Sequence, residues 1–188
     1  IVSIVPFNFP VLLFGWQAAA ALAAGNAVIV KPSELTPLTL LTVMQAFDHL
    51  PAGLVQVVTG GADVGQYLVA HEGTHGIAFT GSVPAAQAVA KSAAVRFKPA
   101  LIEASGNDPF IVMPSAPLDA VARGAAFAAF LNCGQVCTSA ERFYIHEEIY
   151  DKFVAALSEQ ARALRVGNGL EKVDIGPMAS ARERDRVE

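Results

Sequence analysis

The sequence predicts an α/β protein built on an open parallel sheet with helices on both faces. Short apolar runs alternate with longer helical stretches through about the first hundred residues, and this order favours parallel strands joined by helical crossovers. The strand-like runs lack strict apolar–polar alternation, as is typical of strands that are buried on both faces. Turn-forming residues, Ser105 to Pro109, then separate this part from the start of a second α/β segment.

The first part is predicted to contain five strands and four helices. The strands are Ile1–Val5, Ala27–Val30, Leu54–Val58, Ile77–Thr80 and Ala100–Glu103. The helices are Val11–Ala24, Thr39–Leu50, Asp63–Ala70 and Pro84–Ala94. Pro37 suits the first turn of a helix, and Asp63 and Ser82 are candidate N-caps.

The second part is predicted to contain two strands, Phe110–Met113 and Arg142–His146, and two helices, Leu118–Phe130 and Ile149–Leu164. Residues 167–178 are expected to form an exposed loop, and residues 181–188 form a charged, helix-like run. We therefore expect two domains, 1–106 and 107–188.

The composition and charge of the chain argue against several classes of function. Of 188 residues, 53% are hydrophobic and 16% are charged, with a net charge of −4, which is typical of a packed globular chain. There is no basic stripe interleaved with aromatic residues, so we expect no nucleic-acid partner. Four scattered histidines and two cysteines do not have the spacing of a metal site. Cys133 and Cys137 do not suggest a disulfide framework, and a reducing cytoplasm fits better.

One apolar segment, Phe9 to Val30, is long enough to imitate a membrane span. Pro10, Gly15 and the pair Gly25-Asn26 interrupt it, so a buried helix, a turn and a buried strand explain it better. Within that helix, Trp16 is expected to lie in the core. We expect no membrane association.

Residues suited to a cofactor follow three predicted strands. Ligands of open α/β sheets bind beyond the carboxyl ends of the strands, where the sequence places Lys31, Ser33, Glu34, Gly60, Gly65, Phe79, Thr80, Gly81 and Ser82. A lysine and an acid can both hold ribose hydroxyls, and an acid there repels a 2′-phosphate, so NAD is favoured over NADP. The alternatives are a surface turn at Lys31–Glu34 and a simple helix cap at Ser82. The usual G-x-G-x-x-G fingerprint of a dinucleotide site is absent.

Three further residues suit covalent chemistry. Cys137 follows a helix and a Gly-Gln turn, a setting that favours a nucleophile, whereas Cys133 is more typical of a packed small side chain. Glu103 ends a strand that is expected to be buried and can act as a general base. Asn8 can donate to an oxyanion. A capping role for Glu103 and a turn-holding role for Asn8 stay open.

Together these residues resemble the aldehyde dehydrogenase superfamily. The motifs that carry the resemblance occur in that family's order and at its spacing: Pro6-Phe7-Asn8-Phe9-Pro10, Lys31-Pro32-Ser33-Glu34, Phe79-Thr80-Gly81-Ser82, Glu103, Asn132-Cys133-Gly134-Gln135-Val136-Cys137 and Gly176-Pro177-Met178. Since members of the family are much longer, the chain resembles an internal fragment: part of a Rossmann-like dinucleotide-binding domain, 1–106, and part of a catalytic domain, 107–188.

The resemblance implies a mechanism. Cys137 would attack an aldehyde to form a thiohemiacetal and then, after hydride transfer to NAD(P)+, a thioester. Asn8 would hold the oxyanion, and Glu103 would activate the hydrolytic water. Phe7, Lys31, Ser33, Glu34, Gly60, Gly65, Phe79, Thr80, Gly81, Ser82 and Ala104 would bind or shape the cofactor site.

The resemblance also has departures and rivals. Ala104-Ser105 stands where the family commonly has Leu-Gly, and Ala86 and Phe7 replace a common Gly and Trp. The rivals are a CoA-acylating dehydrogenase and a non-catalytic nucleotide-binding or scaffold protein of the same fold. We expect the fragment alone to be inactive and the full-length protein to be a cytoplasmic homo-oligomer.

Overall fold

The computed structural model describes residues 1–188, which divide into two compact units, Ile1–Ser105 and Gly106–Glu188. Each unit has its own sheet and its own apolar core. No helix in either unit combines the length and the apolar character that crossing a bilayer requires.

Unit Ile1–Ser105 is built on a five-stranded parallel sheet. Its strands are β1 (Val2–Ile4), β2 (Val28–Lys31), β3 (Val55–Val57), β4 (Ile77–Thr80) and β5 (Ala100–Glu103). Their order is β3-β2-β1-β4-β5, and every pairing is parallel. The predicted open parallel sheet is therefore confirmed. The strand order reverses beside β1, and such a switch point is where open α/β sheets bind ligands.

Helices cover both faces of this sheet. They are α1 (Pro10–Ala23), α2 (Pro37–Met44), α3 (Ala62–Ala70) and α4 (Val83–Val95). One apolar cluster joins the sheet to α3 and α4 through Leu68, Val69, Ala86 and Ala93. A second cluster on the other face includes Leu13, Phe14, Ala18 and Leu40 of α1 and α2.

The bounds of α1, α3 and α4 differ from the sequence prediction by at most one residue, and those of α2 differ by more. Helix α2 begins at Pro37 and ends at Met44, followed by a 3-10 turn that ends at Phe47. Pro51 disfavours helical backbone at the residue before it, so the helix does not reach Leu50. Helix α3 is capped by Gly61, and Asp63 lies in its first turn, where an acid favours the helix dipole.

Two expectations about burial are wrong. Trp16 is 64% exposed, because α1 packs on the sheet through Leu13, Phe14 and Ala18 and turns the Trp16 face outward. Strand β5 is an edge strand and mostly exposed, with Leu101 at 74% and Glu103 also exposed. A strand at the edge of a sheet has one neighbour, so its apolar sequence alone does not establish burial.

Unit Gly106–Glu188 contains a two-stranded parallel sheet and three helices. The strands are β6 (Asp108–Val112) and β7 (Ala140–Ile145), and the helices are α5 (Leu118–Phe130), α6 (Tyr150–Ala163) and α7 (Ala181–Val187). Its core forms around Val112, Ala125 and Phe153. Two 3-10 turns, Leu131–Gly134 and Glu147–Ile149, follow α5 and β7. After α6, the loop is closed by a bridge between Val166 and Ile175 and by the ion pair Arg165–Asp174.

Candidate active site

A cavity of about 250 Å³ lies beyond the carboxyl ends of β1, β2 and β4, against α3 and α4. The sequence-predicted residues that line it are Lys31, Glu34, Gly65 and Phe79. Ile4, Gly61 and apolar residues of α4 complete most of the wall. The cavity is therefore mainly apolar, with one cation and one anion at its edge.

Lys31 and Glu34 form the polar edge of this cavity. The Lys31 side chain is buried, and its Nζ lies 3.6 Å from Oε2 of Glu34, whose side chain is 64% exposed. The adjacent Ser33 Oγ accepts a hydrogen bond from the Leu35 N–H, at 3.3 Å. Lys31 is thus held by its surroundings, while Glu34 can move into solvent. The predicted surface-turn alternative fits the exposure of Glu34 but not the burial of Lys31.

Gly60 and Gly65 have different local constraints. Gly60 has a φ of +152°, and a Cβ there would lie 2.9 Å from Val64 Cβ and collide with Val64 Cγ2. A Cβ on Gly65 would make ordinary contacts, 3.8 Å from Ile4 Cδ1 and Lys31 Cδ. The backbone conformation at residue 60 therefore requires glycine. At Gly65 the missing side chain leaves additional space in the cavity.

Only Gly81 and Ser82 connect the end of β4 to the start of α4. A Cβ on Gly81 would lie 2.7 Å from Phe79 Cζ, so the ring packs directly on this glycine. Ser82 occupies the N-cap position of α4, but its side chain makes no capping hydrogen bond. Ser82 therefore takes the predicted N-cap position without capping the helix through its hydroxyl. Gly81 and Ser82 do not line the cavity itself.

A chain of side-chain hydrogen bonds crosses the sheet at β1, β4 and β5. Ser3 Oγ donates to Gln17 Oε1 (2.6 Å), Gln17 Nε2 donates to Thr80 Oγ1 (3.1 Å), and Thr80 Oγ1 lies 3.5 Å from Glu103 Oε2. Ser3 and Thr80 are buried. Ser3 and Gln17 were not among the predicted site residues, although Gln17 is one of two clearly polar residues between Phe9 and Val30.

Glu103 ends β5 beside the end of β4. Its carbonyl oxygen accepts a hydrogen bond from the Gly81 N–H, at 3.2 Å. The next residue, Ala104, is half-buried and packs against the α3–α4 side of the core. The strand therefore fixes the backbone, while the Glu103 carboxylate lies at an exposed sheet edge.

Phe7 and Asn8 lie between β1 and α1. The Phe7 carbonyl accepts from Thr36 Oγ1 at 3.0 Å. Asn8 Oδ1 accepts from the Phe9 N–H at 3.1 Å, so the opposite end of the Asn8 amide is its N–H donor. The bond to the Phe9 N–H is the turn-holding interaction that the sequence left open for Asn8.

Cys137 belongs to the second unit and follows a left-handed turn. Asn132, Cys133 and Gly134 have φ values of +53°, +61° and +72°. Both cysteines carry thiols and are partly buried. Burial raises the pKa of the Cys133 thiol, and its Sγ donates to the Gly176 carbonyl at 2.9 Å. Cys133 is therefore a packed, hydrogen-bonded thiol, as its neighbours in sequence suggested.

Gly106 lies against the Cys137 peptide and was not among the predicted site residues. A Cβ at this position would lie 2.5 Å from the Cys137 carbonyl oxygen and 3.0 Å from Asp108 Oδ1. Only a glycine allows the backbone at 106 to approach the Cys137 peptide this closely. The available signal was a glycine three residues after Glu103, in a stretch that we interpreted only as a boundary.

The model of the aldehyde dehydrogenase family matches residues 1–188, the whole chain. The chain belongs to the aldehyde dehydrogenase family. It is 40% identical over 192 residues to the 3,6-anhydro-alpha-L-galactose dehydrogenase of Vibrio sp. strain EJY3, with 100% of this chain and 40% of that protein covered.

Solved structures agree with this membership. The fold superposes on 3,6-anhydro-L-galactose dehydrogenase in complex with NAP with a TM-score of 0.91 and 37% identity, covering 100% of this chain and 40% of the other. PnpE in complex with nicotinamide adenine dinucleotide gives a TM-score of 0.95 and 36% identity, covering 99% and 39%. The first unit is thus the Rossmann-like sheet of these enzymes. The chain spans about 40% of the length of its relatives.

Proposed function

We propose that the full-length protein oxidises an aldehyde to a carboxylic acid with NAD(P)+. The observation that carries this proposal is the match of the family over the whole chain, which includes Cys137, Glu103 and Asn8. The two relatives with bound dinucleotides support the choice of cofactor. The chain contains only part of such an enzyme, so we expect residues 1–188 alone to be inactive.

The cavity beyond β1, β2 and β4 fits the adenosine half of a dinucleotide. Apolar walls suit a flat base, and Lys31 and Glu34 at the edge suit ribose hydroxyls. Gly65 leaves room for the base, and Ser82 at the start of α4 suits a phosphate, because its hydroxyl makes no capping bond. Glu34 favours NAD. Its exposure also lets it turn away, so NADP stays an alternative substrate.

We assign the covalent chemistry to Cys137. Its thiolate sulfur attacks the aldehyde carbon, a C–S bond forms, and the carbonyl oxygen becomes an oxyanion that accepts a hydrogen bond from the Asn8 amide. A bound dinucleotide would supply the hydride acceptor. Loss of the hydride restores the carbonyl as a thioester. The raised pKa of Cys133 and its bond to Gly176 make it the poorer nucleophile.

Glu103 is the proposed base for the second half of the reaction. It takes a proton from the water that attacks the thioester, and cleavage of the C–S bond then releases the acid and the Cys137 thiolate. The contact with Thr80 supports this role by directing a hydroxyl at the carboxylate. A CoA-acylating enzyme does not need this base, and a scaffold protein needs neither Cys137 nor Glu103.

A pair of matched variants tests the proposal in the full-length protein. Cys137→Ala should abolish NADH production from a panel of aldehydes, whereas Cys133→Ala should retain it. A scaffold protein would be indicated if the wild type itself converted no aldehyde with NAD+ or NADP+. Turnover that requires CoA would replace hydrolysis by acyl transfer. Cell fractionation and sedimentation would test the expected cytoplasmic homo-oligomer.

A further inference from the structure

The loop that carries Cys137 adopts a backbone that its sequence does not favour. Asn132 and Cys133 are not glycines, yet both have left-handed φ values, and Gly134 follows with a third. Such a run costs free energy and persists only where other contacts hold it. The contacts that hold this turn therefore decide where the nearby Cys137 lies.

Two side chains tie this turn to the segment Gly176–Ala179. Gln135 Nε2 donates to the Asn132 carbonyl at 2.9 Å, and Gln135 Oε1 accepts from the Ala179 N–H at 3.1 Å. Cys133 Sγ adds its bond to Gly176. Both ends of the Gln135 amide are thus engaged, one inside the turn and one outside it.

The chain is anchored again just after Cys137. Ser139 is buried, and its Oγ lies 3.1 Å from the Ala128 carbonyl of α5, to which it donates. Cys137 is therefore midway between two fixed points, Gln135 and Ser139. Of these two anchors, Gln135 alone reaches the 176–179 segment.

We propose that Gln135 is a positioning residue for Cys137: its amide joins the left-handed turn to the Ala179 backbone and so fixes the thiol for attack. This inference rests on the proposed role of Cys137 as the nucleophile. Gln135 touches neither substrate nor cofactor in this account. Its loss should lower the rate of the thiol's reactions more than it weakens cofactor binding.

The test uses Gln135→Met in the full-length protein, with Gln160→Met on α6 as the matched control. Gln135→Met should lower kcat by about 10- to 100-fold and slow iodoacetamide alkylation of Cys137 across the pH range. The KM for the cofactor and the thermal unfolding midpoint should stay close to the wild type. Gln160→Met should change none of these. A wild-type kcat and alkylation rate in Gln135→Met would overturn the proposal, as would equal losses in both variants.

A second variant tests the same bond from its other side. Ala179→Pro removes the N–H that Gln135 accepts from. If both variants act through one bond, the double variant should have the alkylation rate of Gln135→Met alone, and additive losses would contradict the proposal. If Ala179→Pro does not fold, Gln135→Met and its control still decide.

The outcomes also separate this inference from the proposed function. If Cys137→Ala keeps full turnover, the nucleophile assignment fails, and the positioning role fails with it. If Cys137→Ala is inactive but Gln135→Met behaves as the wild type, only the positioning role fails.

Discussion

The two units hold their candidate site residues by different means. In Ile1–Ser105, residues such as Lys31 and Glu103 lie at the ends of parallel strands, so the sheet itself places them. In Gly106–Glu188, Cys137 lies in a loop with three successive left-handed residues, and contacts from distant parts of the chain hold it. We infer that the sheet places the backbone of the first site without further support, whereas the second site depends on its supports.

The largest effect should come from Gly106→Val, because it disturbs the backbone contact that holds the Cys137 peptide. The new Cβ would collide with the Cys137 carbonyl, and a displaced nucleophile should lower kcat by about 100-fold. The unfolding free energy should fall by about 1–3 kcal/mol. Steady-state kinetics and urea unfolding of the full-length protein measure both.

Gly124→Ala on α5 is the control for this prediction. A Cβ there meets nothing within 4 Å, and alanine is the better helix former, so stability should rise by about 0.5–1 kcal/mol. If Gly106→Val had the wild-type kcat, the position of Cys137 would not depend on the close approach of residue 106. The two units would then not differ in how they hold their site residues.

The next largest effect separates two glycines within the first unit. Gly60→Ala forces a Cβ into Val64 at a positive φ, so it should cost about 1–3 kcal/mol of unfolding free energy. Gly65→Ala should leave stability unchanged or higher, because its contacts are ordinary. By narrowing the cavity it should raise the cofactor KM about tenfold. Chemical unfolding measures the stability of both variants, and NAD+ titration measures the KM. A lower unfolding free energy for Gly65→Ala than for Gly60→Ala would contradict these constraints.

An effect of comparable size tests whether side chains also support the first site. Gln17→Met removes the partner of both Ser3 and Thr80, which are buried, and should lower the unfolding free energy by about 1–3 kcal/mol. Gln87→Met, an exposed position on α4, should change it by less than about 0.5 kcal/mol. Equal effects on thermal unfolding would show that the hydrogen-bond chain contributes nothing.

The smallest effect concerns the ion pair at the loop after α6. Hydrogen bonds from Arg165, its side chain first, lower the pKa of Asp174 to about 2. Since the unfolded value is about 4, the stabilising contribution is present above pH 4 and is lost as the pH falls from about 4 to about 2. Asp174→Asn should flatten the pH dependence of the melting temperature in that window alone. A difference from the wild type that keeps its full neutral-pH size at pH 2 would contradict this origin.

Much of the fold is predictable from the sequence, because buried parallel strands are short apolar runs. Strand β4 and helix α5 have the predicted bounds. The exposure of Glu103 was not predictable, since it depends on which strand lies at the sheet edge. That of Trp16 was not predictable either, since it depends on which face of α1 packs on the sheet. The contact of Gln135 with Ala179 joins residues far apart in sequence, and no local pattern indicates it.

Trapping the acylated enzyme tests the central claim, that Cys137 is the nucleophile and Glu103 releases its product. Full-length Glu103→Gln, mixed with an aldehyde and NAD+, should give a burst of about one NADH per site and an acyl adduct on Cys137. Trypsin leaves both cysteines on one peptide, between Arg123 and Arg142, so fragmentation by mass spectrometry must assign the adduct. The account predicts the adduct on Cys137. An adduct on Cys133, or steady NADH production at the wild-type rate with no adduct, would contradict it.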